Sequence, residues 1–264
     1  MAHLLKTDFN IRTKIKIFWK GINLFLFWWI FNKTWRTSIY FDKKIMYWLD
    51  YATLTYLFWE IFIKNEYKFS THKKNPMILD LWANIGVASI YFKRLYPDAQ
   101  IQAFEPDDKH FEVLKKNIME NKYENVKIEK KAVTNYNGEI TFYTDDKASF
   151  IMSTKKWRIS KIETKLQCIS INDIIKNDQI DLLKMDIEWG EFDVLKALDD
   201  SWKINQIKEM IIEYHHNIKD DTMSFATFLN ILEQNWFIYW LSTNLFPLEA
   251  KNKFQDIFIH AYKN

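Results

Sequence analysis

From residue 77 onward, short apolar runs alternate with stretches whose apolar positions recur every three or four residues. Met77–Leu81 and Gln100–Phe104 read as buried strands, with a helix over Val87–Leu95 between them. A second helix over residues 108–121 sets Phe111, Leu114 and Ile118 on one face, and residues 126–133 read as a third strand. Asn137-Gly138 is a hairpin turn signal, followed by an alternating strand over 139–144 and an extended insert that continues over 166–171. A fourth parallel strand over 180–187, a helix over 191–198, a fifth strand over 209–214 and a helix over 222–234 come next. Two final strands over 237–241 and 256–261 complete the set. This alternation predicts a doubly wound α/β fold, whose ligands sit at the carboxyl ends of the strands near the switch point.

Residues 1–76 follow a different pattern and read as an aromatic-rich helical extension ahead of a catalytic domain over 77–264. The run from 15 to 31 holds Phe18, Trp19, Phe25, Phe27, Trp28, Trp29 and Phe31, flanked by Lys14, Lys16, Lys20, Lys33 and Arg36. Its uninterrupted apolar core, residues 24–31, is far short of the ~20 residues that span a bilayer. A secretory signal fits poorly too, because no small-residue cleavage pattern follows. Basic flanks with aromatics suit an interfacial helix on an anionic membrane, or one gripping a lipid-linked substrate. The plainer reading, ranked first, is a helix packed over the main domain. Residues 45–62 also read as helical, and Lys73, Lys74, Asn75 and Pro76 mark a break before the first buried strand.

Composition narrows the function classes. With 37 basic and 34 acidic side chains the net charge is only +3, and 48% hydrophobic with 27% charged residues is globular. A disordered tail, a fibre and a polytopic membrane protein are excluded. The lysines are scattered among acids rather than gathered in a stripe, which speaks against a nucleic-acid partner. The single cysteine, Cys168, can form no internal disulfide and no thiolate zinc cluster, in keeping with a reducing, cytoplasmic setting, at most peripheral to a membrane. One count is out of line: average chains carry ~7% Gly, about 18 residues at this length. This chain has 4 Gly and 12 Trp.

Polar residues gather where the predicted strands end. Asp80-Leu81-Trp82-Ala83-Asn84-Ile85-Gly86 closes the first strand and opens the first helix, a place where backbone amides can approach a ligand. Glu105-Pro106 ends the second strand, where a carboxylate can accept hydrogen bonds from both hydroxyls of a ribose. Asp186, Glu188 and Glu191 follow the fourth strand, and His215 ends the fifth. These four are the candidate catalytic groups, His215 in particular having an ordinary pKa of ~6.5 that suits proton acceptance. Asp186 and Glu188 could hold Mg²⁺, but with no third ligand in sight the site is expected to be metal-free. Acidic residues after strands also cap helices, and Asp108 or Asp193 reads that way. Lys184, inside the fourth strand, reads as a packing or pairing residue.

The strings LDLWANIG, AFEPD, KKAVTNYNGEITFY and LLKMDIEWGEFDVL, in that order, resemble the FkbM-type family of S-adenosylmethionine-dependent methyltransferases over roughly residues 77–215. Asp80, Asn84, Gly86, Glu105, Pro106, Asn117, Ala132, Gly138, Lys184, Asp186, Glu188 and Glu191 match its motifs. The resemblance implies a Rossmann-like α/β methyltransferase fold: a mostly parallel seven-stranded sheet with the last strand antiparallel. It implies S-adenosylmethionine as cofactor, held by Asp80, the residue at 82, Asn84 and Gly86 near its methionine part, Glu105 and Pro106 at the ribose, and Ala132 and Val133 near the adenine. A rim rich in carboxylates suits a sulfonium and a ribose diol, whereas the Gly-x-Gly-x-x-Gly string of a nicotinamide enzyme is absent. The implied reaction is O-methylation of a hydroxyl on a sugar, glycan or secondary metabolite. The alternative is a catalytically inactive relative that binds a glycan or a membrane.

Two departures bear on that alternative. Trp82 stands where the family has the first glycine of its cofactor loop, and Trp189 stands where it has the glycine before Gly190. Trp236 is a third oddity, because a helix leading to a strand favours Gly at its stop. The glycine deficit and tryptophan excess share one explanation: UGA is read as Gly in some bacterial lineages and as Trp in others. On that expectation several tryptophans, among them 82, 189 and 236, are glycines in the natural protein.

Overall fold

The computed structural model describes residues 11–31, 38–41, 44–145, 148–153, 162–176, 178–188, 190–216, 224–243 and 255–263. Helix α1 (Ile11–Phe31) leads to a hairpin of β1 (Ser38–Phe41) and β2 (Lys44–Tyr47), then to α2 (Tyr51–Phe58), which runs into a π-helix, Trp59–Lys64. The main domain follows as β3 (Met77–Leu81), α3 (Val87–Leu95), β4 (Gln100–Phe104), α4 (Asp108–Met119) and β5 (Val126–Glu129). A mixed excursion comes next: β6 (Ala132–Thr134), β7 (Gly138–Asp145), β8 (Ala148–Ser153) and β9 (Ile162–Ser170), closed by the short α5 (Ile171–Ile174). The chain returns through β10 (Ile180–Met185), α6 (Glu191–Asp200), β11 (Ile207–His216), α7 (Phe225–Gln234), β12 (Ile238–Thr243) and β13 (Gln255–Tyr262).

Seven strands form the main sheet in the order β12-β13-β11-β10-β3-β4-β5. All run parallel except β13, which pairs antiparallel with both β11 and β12. The chain builds outward from β3 through β4 to β5, then crosses to β10 and β11 on the other side. The loops after β3 and β10 therefore diverge, and a crevice opens at this switch point. The two central strands are buried almost along their whole length, as their mostly apolar composition predicts.

Several boundaries differ from the sequence reading for local reasons. Residues 126–133 are not one strand: β5 ends at Glu129, and β6 joins β9 in a second, four-stranded sheet. Residues 45–62 are not one helix, because β2 takes the first of them and α2 starts only where Asp50 accepts the Thr53 N–H at 2.8 Å. Residues 166–171 close β9, and Ser170 then caps the short α5. The helix cap before α4 is Asp107, whose Oδ1 accepts the N–H groups of Lys109 and His110, both at 2.9 Å. Asp108 lies one residue inside and pairs with Lys130, while α6 has Gly190 at its cap and Asp193 in its first turn.

The extension and the main domain share one apolar core. Ile17, Leu54, Phe58 and Phe62 pack with Ile78, Ala83, Tyr91 and Leu114. Two side-chain amides, one on α4 and one in the turn after it, complete the join. Asn117 accepts the Tyr47 N–H at 2.7 Å and donates to Tyr47 O at 3.0 Å and to Ile85 O at 2.7 Å. Asn121 does the same for Ile45, at 2.7 Å and 2.5 Å. These amides stand in for a neighbouring strand and satisfy the edge of β2. Among the described residues, no helix is long and apolar enough to cross a membrane.

Candidate active site

At the carboxyl ends of β10 and β11 lies a cavity of about 420 Å³. Its inner wall is Trp82, Asn84, Asp186, Glu188, Glu213, His215 and Asp256; its outer wall comes from the extension, Ala52, Thr53, Tyr56, Leu57, Glu60 and Tyr67. Alternation along β11 aims Glu213 and His215 at one face, while Tyr214 turns to the other and packs on Phe225 and Phe228 with ring centroids 4.8 and 4.7 Å away. The antiparallel pairing sets Asp256 of β13 opposite His215.

His215 is the centre of this group. Its Nδ1 lies 2.8 Å from Glu191 Oε1, and its Nε2 lies 3.6 Å from Glu188 and 3.9 Å from Asp256. Glu191 is buried and also accepts the Ile187 N–H at 3.2 Å, so it orients the imidazole from behind and does not itself line the cavity. Burial alone lowers the imidazole pKa, but the carboxylates of Glu191, Glu188 and Glu213 outweigh it and raise it well above the usual value. Burial also drives Glu213 well above the carboxylate range, with the Asp186 charge adding to the effect. Glu60, in the π-helix, is pushed up to about 8, mainly by burial and against a hydrogen bond from Tyr56. Glu213, His215 and Asp256 offer ligand atoms within 4.8 Å of one another and could hold a metal ion.

Trp82 and Asn84 of the first loop reach the cavity wall, while their neighbours pack in a tighter region beside it. Asp80 has no exposed surface: Ser89 Oγ donates to it at 2.6 Å, and Lys184 Nζ lies 3.5 Å away. Lys184 itself reaches over to donate to Leu81 O at 3.1 Å and Trp82 O at 2.7 Å, and its Nζ lies 3.7 Å from Asp186. This lysine ties the loop after β3 to the end of β10, a pairing role as the sequence suggests. Asn84, at φ 52°, donates its N–H to Glu105 Oε2 at 2.8 Å, and the other Glu105 oxygen accepts the Asp107 N–H at 2.9 Å. Burial raises the Glu105 carboxyl to about 7, although His110 and those two amides pull it down. Gly86 caps α3 at φ 86°, where a Cβ would come 2.7 Å from Leu114 Cδ1, so glycine is required twice over. Pro106 is buried beside Glu105. Trp189 lies outside the described residues.

The structure thus brings Asp186, Glu188 and His215 together around one cavity, with Glu191 behind them. It gathers Asp80, Trp82, Asn84, Glu105, Ala132 and Val133 beneath the first loop. Glu213, Asp256, Glu60, Tyr56 and Tyr67 were not singled out by the sequence. Glu213 carried a usable signal, two positions before His215 in a strand. Glu60 and Asp256 carried none, since their partners come from a different chain segment in each case.

The family model described as Methyltransferase FkbM domain matches residues 80–239. The chain belongs to the FkbM methyltransferase family. Its cofactor is S-adenosylmethionine. Two curated relatives agree with the assignment. Methyltransferase sdnD of Sordaria araneosa is 27% identical over 65% of this chain and 79% of its own. Methyltransferase 1 of Beauveria bassiana (strain ARSEF 2860) is 29% identical over 67% and 78%. Among solved structures, methyltransferase FkbM from Methylobacillus flagellatus KT shares the fold at a TM-score of 0.50 and 14% identity. That match covers 80% of this chain and 54% of the other, so the chain spans about half of that relative.

The residues expected to touch the nucleoside do not fit it as the chain stands. Glu105, Ala132 and Val133 are 1%, 2% and 4% exposed. Trp82, 7% exposed, belongs to the same apolar cluster as Phe104, Ala132 and Val133, and its ring sits 5.1 Å from the Phe142 ring centroid.

Proposed function

We propose that this methyltransferase transfers a methyl group to a hydroxyl oxygen of a sugar-like or polyol-bearing acceptor, a glycan or a secondary metabolite, bound in the cavity between the main domain and the extension. The observation that carries this reading is the Glu191–His215 pair at the cavity floor, 2.8 Å apart, with a ring of carboxylates around it. Nε2 is the face of His215 directed at the cavity, and in the neutral imidazole it takes the acceptor's hydroxyl proton while Glu191 holds Nδ1–H. Carboxylates beside the aromatic rings of Tyr56 and Tyr67 suit a ligand with several hydroxyls and apolar ring faces. The cofactor, when bound, supplies the methyl group; the chain's own task is to align the acceptor and receive its proton. The test is transfer of labelled methyl from S-adenosylmethionine to a panel of hydroxylated acceptors, with the product's linkage read by mass spectrometry. A methyl found on nitrogen would refute the oxygen assignment.

A metal-assisted variant is the second reading, favoured by the Glu213, His215 and Asp256 cluster. Under the proposal, dialysis against a chelator leaves the rate unchanged; loss of activity restored by Mn²⁺ or Mg²⁺ would instead assign His215 to a metal. The same proposal includes peripheral contact with an anionic membrane through residues 15–31. Ile11, Ile15 and Trp19, four apart on one face of α1, are all more than half exposed, which supports it. Sedimentation with anionic but not neutral vesicles is the expected result.

A further inference from the structure

Eight residues other than glycine have a positive φ among the described residues. Three are Asn (65, 84 and 125), whose side chain tolerates the left-handed region, and two are Lys122 and Glu188. The remaining three are Trp82 at 67°, Trp202 at 62° and Trp236 at 64°. Nothing in an indole favours this conformation, and a bulky side chain there is a genuine outlier.

Two of these tryptophans stand at the same structural position. Beyond the end of α7, the Trp236 N–H donates to Glu233 O at 3.0 Å and the Phe237 N–H to Leu232 O at 3.0 Å, the paired bonds of a Schellman motif. Beyond α6, the Trp202 N–H donates to Asp199 O at 2.9 Å. Glycine is the usual residue at this stop, because it lacks the Cβ that the left-handed backbone crowds. Both indoles point into solvent, 77% and 83% exposed, so neither gains packing that would offset the strain. By contrast Trp48 is buried against Tyr51, and Trp48, Trp59 and Trp240 all have ordinary φ.

The third case carries the functional weight. Trp82 follows β3 directly at φ 67°, and its indole, 7% exposed, lies in the apolar cluster with Ala132 and Val133, 5.1 Å from the Phe142 ring and at the edge of the cavity. We propose that residues 82, 202 and 236 are glycine in the natural gene product, and that the volume the indole of residue 82 fills is where the cofactor's nucleoside binds. One misread codon type explains all three positions together with the counts of 4 Gly and 12 Trp. Trp202 was not marked by any sequence motif; only its backbone shows it. The second half of the proposal rests on the methyl-donor reading above, whereas the first half does not.

The experiment is peptide mass spectrometry of the protein isolated from its natural source, followed by calorimetry of two recombinant chains with S-adenosylmethionine. Glycine masses at 82, 202 and 236 are expected; tryptophan masses there overturn the proposal and favour a non-catalytic binding protein. In calorimetry, the chain carrying W82G, W202G and W236G is expected to bind at least tenfold more tightly than the chain as written. Equal binding by the two would show that the indole does not fill the nucleoside's place. Glycine masses with no binding by either chain would strike the methyl-donor reading alone, so the two failures are told apart.

Discussion

At the residue scale the proposed mechanism gives His215 the acceptor's proton, and its surroundings set its pH behaviour. Burial opposes the charged imidazole, but the carboxylates around it outweigh burial and raise its pKa well above the usual value, so the neutral, proton-accepting form gains as pH rises. Activity is therefore expected to rise through the alkaline range, and Glu191→Gln, which removes the nearest negative charge, should shift that rise to lower pH. His215→Gln should lower kcat by about 10²-fold or more with little change in KM, the loss expected of a general base. The same raised pKa affects stability in the opposite sense. Its contribution is fully present below the unfolded-state value of ~6.5 and is lost as pH climbs through the folded value. Glu60 follows the same rule: with a folded pKa of about 8, it favours folding at acid pH and costs stability as it ionises. Glu60→Gln should stabilise the protein by on the order of 2 kcal/mol at pH 8 and by much less at pH 4, read from urea unfolding at both.

Elements end where the backbone demands it, and this gives a test at their own scale. Trp202 and Trp236 hold left-handed stops after α6 and α7 without gaining packing. Trp236→Gly should raise stability by about 1 kcal/mol, and Trp202→Gly by a similar amount, measured by thermal unfolding. Gly86 at the start of α3 is the reverse case. Gly86→Ala should cost roughly 1–3 kcal/mol, because the new methyl meets Leu114 and the backbone leaves its preferred region. The central strands and α3 were legible in the sequence because short, mostly apolar segments alternate there with a stretch of helical spacing. The strand pair β1–β2 was not, since its residues sit beside a helical stretch and β2 is held by Asn117 of α4 and Asn121 of the turn after it, far along the chain.

Across the whole molecule, the extension behaves as one wall of the site. Asn117 ties β2 to the first loop through three hydrogen bonds made by a fully buried amide. Asn117→Ala should cost about 2–4 kcal/mol and raise the acceptor KM, since it detaches the outer wall of the cavity as well as leaving backbone groups unpaired. What the sequence determined by itself was local and ordered along the chain: the strand–helix alternation, the family motifs, the candidate carboxylates after β10, and tryptophans where glycine is expected, at 189 in a family motif and at 82 and 236. These are legible because each depends on neighbours within a few residues. Only the tertiary structure decided which carboxylates meet. Glu213 from β11 and Asp256 from β13 meet at His215, and Glu60 from the extension lines the same cavity, through packing and antiparallel register that no local pattern encodes. It also decided that Trp202 belongs with the other two, because a backbone dihedral becomes visible only once the turn around it is built.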